Sequence, residues 1–231
     1  MERLLDEHLE KLKTRVLKMC SLVDEQVQFA VNAVEEDNLE LAQSVIDRDK
    51  KVNKIDVKID KICQKIFALG QPVAVDLRYI MSSLTINTNL ERIGDIAVNI
   101  AENILLIKKK PVFYSETKLE EMFKVSKEML KNAIDAFISG DAELAKKVLL
   151  ADDIVDKLNA ENHTILKNIM KQTPENIESG VALLVISREI ERMADHSTNI
   201  AEDVFFIVEA QLIKHKYEKY LFGEDDAETE E

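Results

Sequence analysis

One segment of this chain occurs twice, 100 residues apart. Residues 91–102 read ERIGDIAVNIAE and residues 191–202 read ERMADHSTNIAE, with identical residues at seven of the twelve positions. Upstream blocks repeat at an offset of 103 residues, as in AVNAV at 30–34 and AIDAF at 133–137. A fixed period of this kind marks a duplicated structural unit. We therefore predict two copies of a unit of about 100 residues.

The composition predicts that each unit is helical. The 231 residues include only 5 Gly, 3 Pro and no Trp, and hydrophobic residues make up 46%. Frequent Leu, Ala, Glu and Lys favour long helices over strands. Ser115 is the expected cap of the fourth helix. Apolar periodicity and capping signals place six helices, at about 4–35, 38–69, 75–107, 115–138, 141–171 and 175–217.

The fold class that follows is all-α, with two tandem antiparallel three-helix bundles, because long helices joined by short turns pack in antiparallel order. Lys110-Pro111 marks the break between the units. We predict a first bundle at 1–110, a second bundle at 111–222 and an acidic tail at 223–231. The tail reads GEDDAETEE, and we expect it to be disordered because so charged a run cannot bury apolar surface.

The charge balance and the cysteines narrow the class of protein. A formal net charge of −13 argues against nucleic acid as a partner, since phosphate binding needs a basic surface. Cys20 and Cys63 form no CxxC pair and are expected to be reduced thiols. The charged N-terminus does not resemble a secretion signal, and the longest charge-free stretch, the twelve residues 79–90, is too short to span a bilayer. We expect a soluble cytoplasmic protein.

Acidic residues of the repeated segment align on one face of the predicted helix. A helix turns by about 100° per residue, so Glu91, Asp95 and Glu102 lie within about 40° of one another. The isoleucines of the same segment lie on the opposite side, so we expect the acidic row to face away from the core. The same spacing recurs in the second copy and on the helix that precedes each copy.

These rows supply the candidate metal ligands. An exposed helix face ordinarily mixes Lys with Glu, because like charges four residues apart cost ~0.2–0.5 kcal/mol per pair. Rows of one sign on neighbouring helices repel, so we predict that hard cations bind between them, the alternative being ordinary solvated faces. The candidates are Asp49, Asn53, Asp56 and Asp60 on the second helix, Glu91, Asp95 and Glu102 on the third, Asp152, Asp156 and His163 on the fifth, and Glu191, Asp195 and Glu202 on the sixth.

Four further residues flank the rows and are candidates for supporting the ligands. Asn99 and Asn199 lie at the row edges, where they can hydrogen-bond either a ligand or the neighbouring helix. Arg92 and Arg192 directly follow the motif glutamates. Each arginine is either an ordinary surface ion pair, a residue that orients the carboxylates, or a phosphate contact.

The repeated blocks resemble the PhoU family of phosphate-transport regulators. The resemblance covers about residues 5–215 and is carried by LERIGDIAVNIAE at 90–102, QPVAVDLRYI at 71–80, DKKVN at 49–53 and the paired ExxxD motifs. It implies two similar three-helix bundles with multinuclear metal clusters on the bundle surface. Iron is the expected metal, with zinc, manganese or magnesium as alternatives.

The resemblance also implies a function. Such proteins are cytoplasmic regulators that repress the phosphate-starvation response. They link the ATPase subunit of the phosphate ABC transporter to a sensor histidine kinase, and they reach the inner membrane through these partners. We expect a homo-oligomer, a dimer, with no catalytic reaction of its own.

Two other functions compete with this one. A metal-dependent helical-bundle enzyme is disfavoured, because the sequence has no Glu-x-x-His pair and no Gly-rich phosphate loop, and the acidic rows face outward. A metal-independent helical scaffold would use the acidic rows to bind basic partner surfaces. Adding metal would then change neither stability nor partner affinity.

Overall fold

The protein folds into six α-helices, which confirms the all-α prediction. The computed structural model describes residues 2–211 and 213, with side chains from residue 5 onward. The helices are α1 (Glu2–Glu35), α2 (Leu39–Leu69), α3 (Ala74–Ile107), α4 (Leu119–Ser139), α5 (Ala142–Gln172) and α6 (Ile177–Glu209). Short 3₁₀ turns at Val112–Glu116 and Pro174–Asn176 precede α4 and α6. No strand occurs among the described residues.

Helices α2 and α5 begin where the sequence predicts their caps. The Asn38 side chain accepts a hydrogen bond from the Leu41 backbone N–H at 3.0 Å, and Asp141 accepts one from Leu144 at 2.9 Å. Each bond satisfies one of the N–H groups that a first turn leaves free. Gly140 ends α4 with φ 67°, a left-handed conformation that glycine adopts without steric cost.

The structure corrects two predicted helix ends. Ser115 does not cap α4, because it lies inside the 3₁₀ turn and α4 starts only after Lys118. The Lys118 backbone N–H donates to Asn162 Oδ1 on α5 at 2.6 Å, a partner that the local sequence does not reveal. Helix α6 ends at Glu209 rather than Tyr217, since the next residue takes a left-handed conformation with φ 58°. The predicted acidic tail lies outside the described residues.

Each set of three consecutive helices encloses an apolar core. Helices α1–α3 pack against one another, as do α4–α6, so the two predicted bundles are present. Their apolar rows point inward, as amphipathic periodicity requires. Within residues 2–209 no helix is both long and apolar enough to cross a membrane. Fully buried core residues include Val23, Val52, Ile93, Leu130, Val155 and Ile190.

The two bundles lie side by side, with α3 packed antiparallel against α6. Asn99 Nδ2 on α3 donates to Glu189 Oε2 on α6 at 3.2 Å. Ten residues earlier on α3, Asn89 Oδ1 lies 2.9 Å from His196 Nδ1 on α6. This contact buries faces of α3 and α6 that an isolated bundle would expose.

Candidate functional site

The acidic rows of neighbouring helices meet in both bundles. Helices α2 and α3 approach closely at Gly94, where an added Cβ would lie 3.2 Å from Val52 Cγ1 and 3.8 Å from Asp49 Oδ1. The first acidic cluster consists of Asp49, Asp56 and Asp60 on α2 with Glu91 and Asp95 on α3. The second acidic cluster consists of Asp152 and Asp156 on α5 with Glu191 and Asp195 on α6.

Two amide side chains hold Asp49 in the first acidic cluster. Gln26, buried on α1, donates from Nε2 to Asp49 Oδ1 at 3.3 Å and to the Gly94 carbonyl at 3.2 Å. Asn53 Nδ2 donates to the other oxygen of Asp49 at 2.6 Å. Both carboxylate oxygens of Asp49 therefore accept hydrogen bonds from uncharged donors.

A third amide side chain donates hydrogen bonds to the remaining aspartates of α2. Asn87, fully buried on α3, donates from Nδ2 to Asp56 Oδ1 at 2.6 Å, and the same nitrogen lies 3.4 Å from Asp60 Oδ1. Amide donors stabilise a carboxylate without neutralising it. The first acidic cluster is therefore hydrogen-bonded while remaining strongly negative.

Burial and like charge raise the pKa of carboxyl groups in the first acidic cluster. Burial is the largest cause for Asp56, Glu91 and Asp95, followed by repulsion from a neighbouring carboxylate in each case. Arg92 opposes these rises in pKa, with Nε 3.5 Å from Glu91 Oε2 and Nη1 3.4 Å from Asp95 Oδ2. One partly exposed arginine offsets only a fraction of five acidic side chains.

The second acidic cluster shows the larger perturbation. Burial is the largest cause that raises the pKa of Asp152 to about 7, and repulsion from Asp195 and Asp156 contributes to this value. Burial is also the largest cause of the raised pKa values of Glu191 and Asp195. Arg188 forms an ion pair with Glu191 Oε1 and partly counteracts the rise in the pKa of Glu191.

Two buried oxygens of the second acidic cluster have no hydrogen-bond donor among the described residues. They are Asp152 Oδ1 and Glu191 Oε2. Glu191 is only 9% exposed, so the prediction that the motif glutamates stand clear of the core is wrong for this residue. A buried acceptor left without a donor costs about 1–3 kcal/mol, more if charged. These two oxygens are suited to a cationic ligand.

Three predicted ligands lie away from the clusters. Glu102 and Glu202 follow Asp95 and Asp195 by seven residues, or about 10 Å along the helix. Glu102 is exposed, whereas Glu202 is buried, with 7% of its surface accessible. His163, which corresponds to Asp60 at the offset of 103 residues, is exposed on α5, about 10 Å along that helix from Asp156. The structure brings together the other ten candidates, four of them in the second bundle.

The four candidates for supporting the ligands lie in different surroundings. Arg92 pairs with the first acidic cluster, as described above. Arg192 Nη1 instead donates to both oxygens of Glu189, at 2.9 and 3.0 Å. Asn99 donates to the same glutamate and so belongs to the contact between α3 and α6. Asn199 is partly buried on α6.

Three residues contact the clusters but were not among the predicted site residues. Asn87 and Arg188 lie three or four residues before the motif glutamates, so extending each acidic row by one turn would have found them. Gln26 comes from α1 and has no counterpart in the row spacing. Gln26 stands out only as a polar residue at a core-facing position, and that position can be recognised only once the core is known.

The donor chemistry of the clusters fits hard metal ions. Carboxylate oxygens are the preferred ligands of divalent and trivalent cations such as iron, manganese and magnesium. The two undonated oxygens of the second acidic cluster also fit a cation. As the side chains stand, no three His, Cys, Asp or Glu residues in the described part of the chain converge closely enough to hold an ion. Ligation therefore requires carboxylate side chains to rotate toward the metal.

Comparison with known proteins gives consistent matches over both bundles. The family model for the PhoU domain matches twice, at residues 16–104 and 119–204. A phosphate-specific transport system accessory protein PhoU homolog from Aquifex aeolicus is 37% identical over 211 residues, covering 91% of this chain and 96% of that protein. The phosphate-specific transport system accessory protein PhoU of Escherichia coli is 34% identical over 227 residues, covering 94% and 92%.

Solved structures share the same architecture. The crystal structure of PhoU from Pseudomonas aeruginosa superposes with a TM-score of 0.85 at 33% identity, covering 89% of this chain and 99% of that one. The phosphate transport system regulatory protein PhoU from Streptococcus pneumoniae gives a TM-score of 0.79 at 28% identity, covering 90% and 98%. With the domain matched in both halves and relatives similar over nearly their whole length, this chain belongs to the PhoU family.

Proposed function

We propose that this chain is an accessory and regulatory protein of a phosphate-specific transport system. The relatives from Aquifex aeolicus and Escherichia coli are described in these terms, and their alignments cover 91% and 94% of this chain. Both bundles and both acidic clusters fall within the matched regions. Similarity of this extent supports the transfer of a role that depends on the whole fold.

The acidic clusters, in this proposal, bind multinuclear metal clusters. Iron is the expected metal, and zinc, manganese and magnesium are the alternatives. The observation that carries the proposal is the pair of buried oxygens, Asp152 Oδ1 and Glu191 Oε2, that receive no hydrogen bond from the described residues. Asp156 and Asp195 add negative charge beside them. A bound metal supplies the positive charge that offsets these four carboxylates.

The position of the clusters suggests how metal would affect partner binding. Each cluster contains carboxylates from two helices of one bundle. If carboxylates of both helices ligated the same ion, that ion would fix the spacing between the two helices. We propose that the metal-loaded surface contacts the ATPase subunit of the phosphate ABC transporter and a sensor histidine kinase. In that role the protein represses the phosphate-starvation response. It acts as a cytoplasmic homodimer without catalysing a reaction.

Metal analysis tests the first part of the proposal. Protein purified without chelator is analysed by mass spectrometry of its metals, alongside the double variant Asp95→Ala/Asp195→Ala. The matched control is Glu102→Ala, which removes an exposed acid of α3 outside the clusters. The double variant should lose bound metal and remain helical, and the control should keep its metal. A wild-type protein that neither contains metal nor can be loaded contradicts the proposal.

Partner capture tests the second part. The tagged protein is used to capture partners from a phosphate-replete lysate, once with added metal and once with EDTA. Recovery of transporter ATPase and histidine kinase that depends on metal supports the adaptor role. Equal recovery in both samples favours a metal-independent scaffold. Turnover of phosphate esters by the loaded protein, lost in the double variant, would favour a metal-dependent enzyme.

A further inference from the structure

We propose that the two acidic clusters differ in how strongly they require a cation, and that Gln26 and its counterpart Met129 set the difference. The first acidic cluster carries built-in amide donors that partly replace a cation. The second acidic cluster lacks them and is the half that depends on the ion for its packing. This inference rests on the proposed metal binding and goes beyond it by ranking the two sites.

The first acidic cluster is internally satisfied around Asp49. Gln26 Nε2 lies 3.3 Å from one carboxylate oxygen, and Asn53 Nδ2 lies 2.6 Å from the other. Gln26 also donates to the Gly94 carbonyl at 3.2 Å, so one side chain of α1 ties together α2 and α3. Gln26 is 1% exposed, and its amide therefore has no access to water as an alternative partner.

The internal repeat identifies the corresponding residues of the second bundle. At the offset of 103 residues that relates the first two helices of each unit, Asp49 corresponds to Asp152 and Gln26 to Met129. Met129 is 2% exposed and carries no N–H group on its side chain. Asn53 corresponds to Asp156, so an amide donor is replaced by another acid. Both donors that satisfy Asp49 are thus absent from the equivalent positions around Asp152.

The third amide of the first cluster is replaced as well. Asn87 corresponds to Ser187, whose hydroxyl donates to Asn159 Oδ1 at 2.8 Å and not to a carboxylate. Asn159 itself corresponds to Asp56, the acid that Asn87 satisfies in the first bundle. The donor and acceptor pair is retained, but it now joins two uncharged side chains. No amide among the described residues donates to the remaining acids of the second acidic cluster.

The consequence is visible in the second acidic cluster. Asp152 Oδ1 and Glu191 Oε2 are buried and accept from no described residue, whereas no carboxylate oxygen of the first acidic cluster is in this condition. Arg188 compensates only the other oxygen of Glu191. An ion placed between α5 and α6 would supply the positive charge that these two oxygens lack. An ion between α2 and α3 would instead compete with donors already in place.

Reciprocal substitutions at the paired positions test this inference. Gln26→Met removes the donor of the first bundle, and Met129→Gln introduces one in the second, each exchanging side chains of similar length. Thermal unfolding of wild type and both variants is followed in EDTA and in MnCl₂. In EDTA, Gln26→Met should lower Tm and Met129→Gln should raise it, by about 2–4 °C for each hydrogen bond lost or gained in a protein of this size. The rise in Tm caused by Mn²⁺ should grow in Gln26→Met and shrink in Met129→Gln.

Calorimetric titration with Mn²⁺ assigns the sites. Wild type should show a tighter and a weaker class of sites, separated by about tenfold or more. Asp195→Ala should remove the tighter class and Asp95→Ala the weaker class. Loss of the tighter class in Asp95→Ala, or equal affinities at both sites, overturns the inference while leaving metal binding intact. Absence of any Mn²⁺ and Fe²⁺ binding overturns the inference and the proposed metal function together. If Met129→Gln does not fold, the Gln26→Met measurements and the two alanine variants still decide the outcome.

Discussion

Replacing Asp152 with asparagine should stabilise the metal-free protein at neutral and alkaline pH and reduce its pH dependence. Burial, together with repulsion from Asp195 and Asp156, raises the pKa of Asp152 from 3.8 to about 7. Asparagine has nearly the same shape as the protonated acid but cannot ionise. The substitution therefore keeps the packing of the second acidic cluster while removing one of its negative charges.

The direction of the effect follows from the two pKa values of Asp152. In the unfolded chain the carboxyl group ionises near pH 4, whereas in the folded chain it holds its proton to about pH 7. The proton therefore favours folding at low pH, and this contribution is lost as the pH rises from about 4 to about 7. A difference of roughly three pKa units sets a ceiling of about 4 kcal/mol. Solvent reaches one side of the cluster and screens the charge, so we expect about 1–2 kcal/mol.

Urea unfolding in EDTA at pH 5 and pH 8, followed by circular dichroism, measures this difference. Between these pH values the wild type should lose about 1–2 kcal/mol more stability than Asp152→Asn. Glu161→Gln removes an exposed carboxylate of the same helix and should follow the wild type. Parallel pH profiles for wild type and Asp152→Asn would refute the reasoning, because they would mean that Asp152 ionises as freely in the folded chain as in the unfolded one.

Three further substitutions test the packing around the site by urea unfolding. Ile93→Ala removes a fully buried residue of the first core and should cost about 2–5 kcal/mol, and a loss below about 1 kcal/mol would contradict its placement. Gly140→Ala should cost about 1 kcal/mol, because φ is 67° there, and no loss would show that α4 ends differently. Glu189→Ala removes the hydrogen-bond partner shared by Arg192 and Asn99 and should lower the free energy of unfolding by about 1–3 kcal/mol. Glu189→Gln should cause a smaller loss. Equal losses for the two variants would mean that side-chain volume, and not the hydrogen bonds, accounts for the effect.

The helices themselves were predictable because their signals are local. Asn38 and Asp141 cap α2 and α5 through hydrogen bonds within one turn, so the sequence alone locates both helix starts. The start of α4 was not predictable in this way, since the Lys118 N–H is satisfied by Asn162, 44 residues away. A hydrogen bond to another helix leaves no trace in the sequence around α4, and the local acceptor of the Leu119 N–H, Thr117 Oγ1 at 3.4 Å, was not recognised.

The candidate site was likewise predictable where it depends on local spacing and not where it depends on contacts between distant helices. Row spacing on single helices placed Asp49, Asp95, Asp152 and Asp195 correctly on facing sides of neighbouring helices, because helical angle depends only on residue number. The row spacing could not separate the acids that cluster at one level of the bundle from Glu102 and Glu202, which lie farther along the helices. It also could not foresee that α3 packs on α6, which is a contact between elements distant in sequence. Glu189 shows the effect, since burial at 8% exposure makes a surface position part of the join between bundles.

The contact between α3 and α6 places Arg192 near an acidic residue of each cluster. Burial raises the pKa of Asp95 in the first bundle and that of Asp195 in the second, and Arg192, held in place by Glu189, opposes both rises. Glu189 in turn accepts from Asn99 on α3, so the side chain that positions the arginine is anchored in both bundles. Arg192 and Glu189 therefore connect the contact between α3 and α6 to the electrostatic surroundings of both clusters. The two acidic clusters thus flank one pair of packed helices, α3 and α6, and the polar contact between these helices includes an arginine that lies near an aspartate of each cluster.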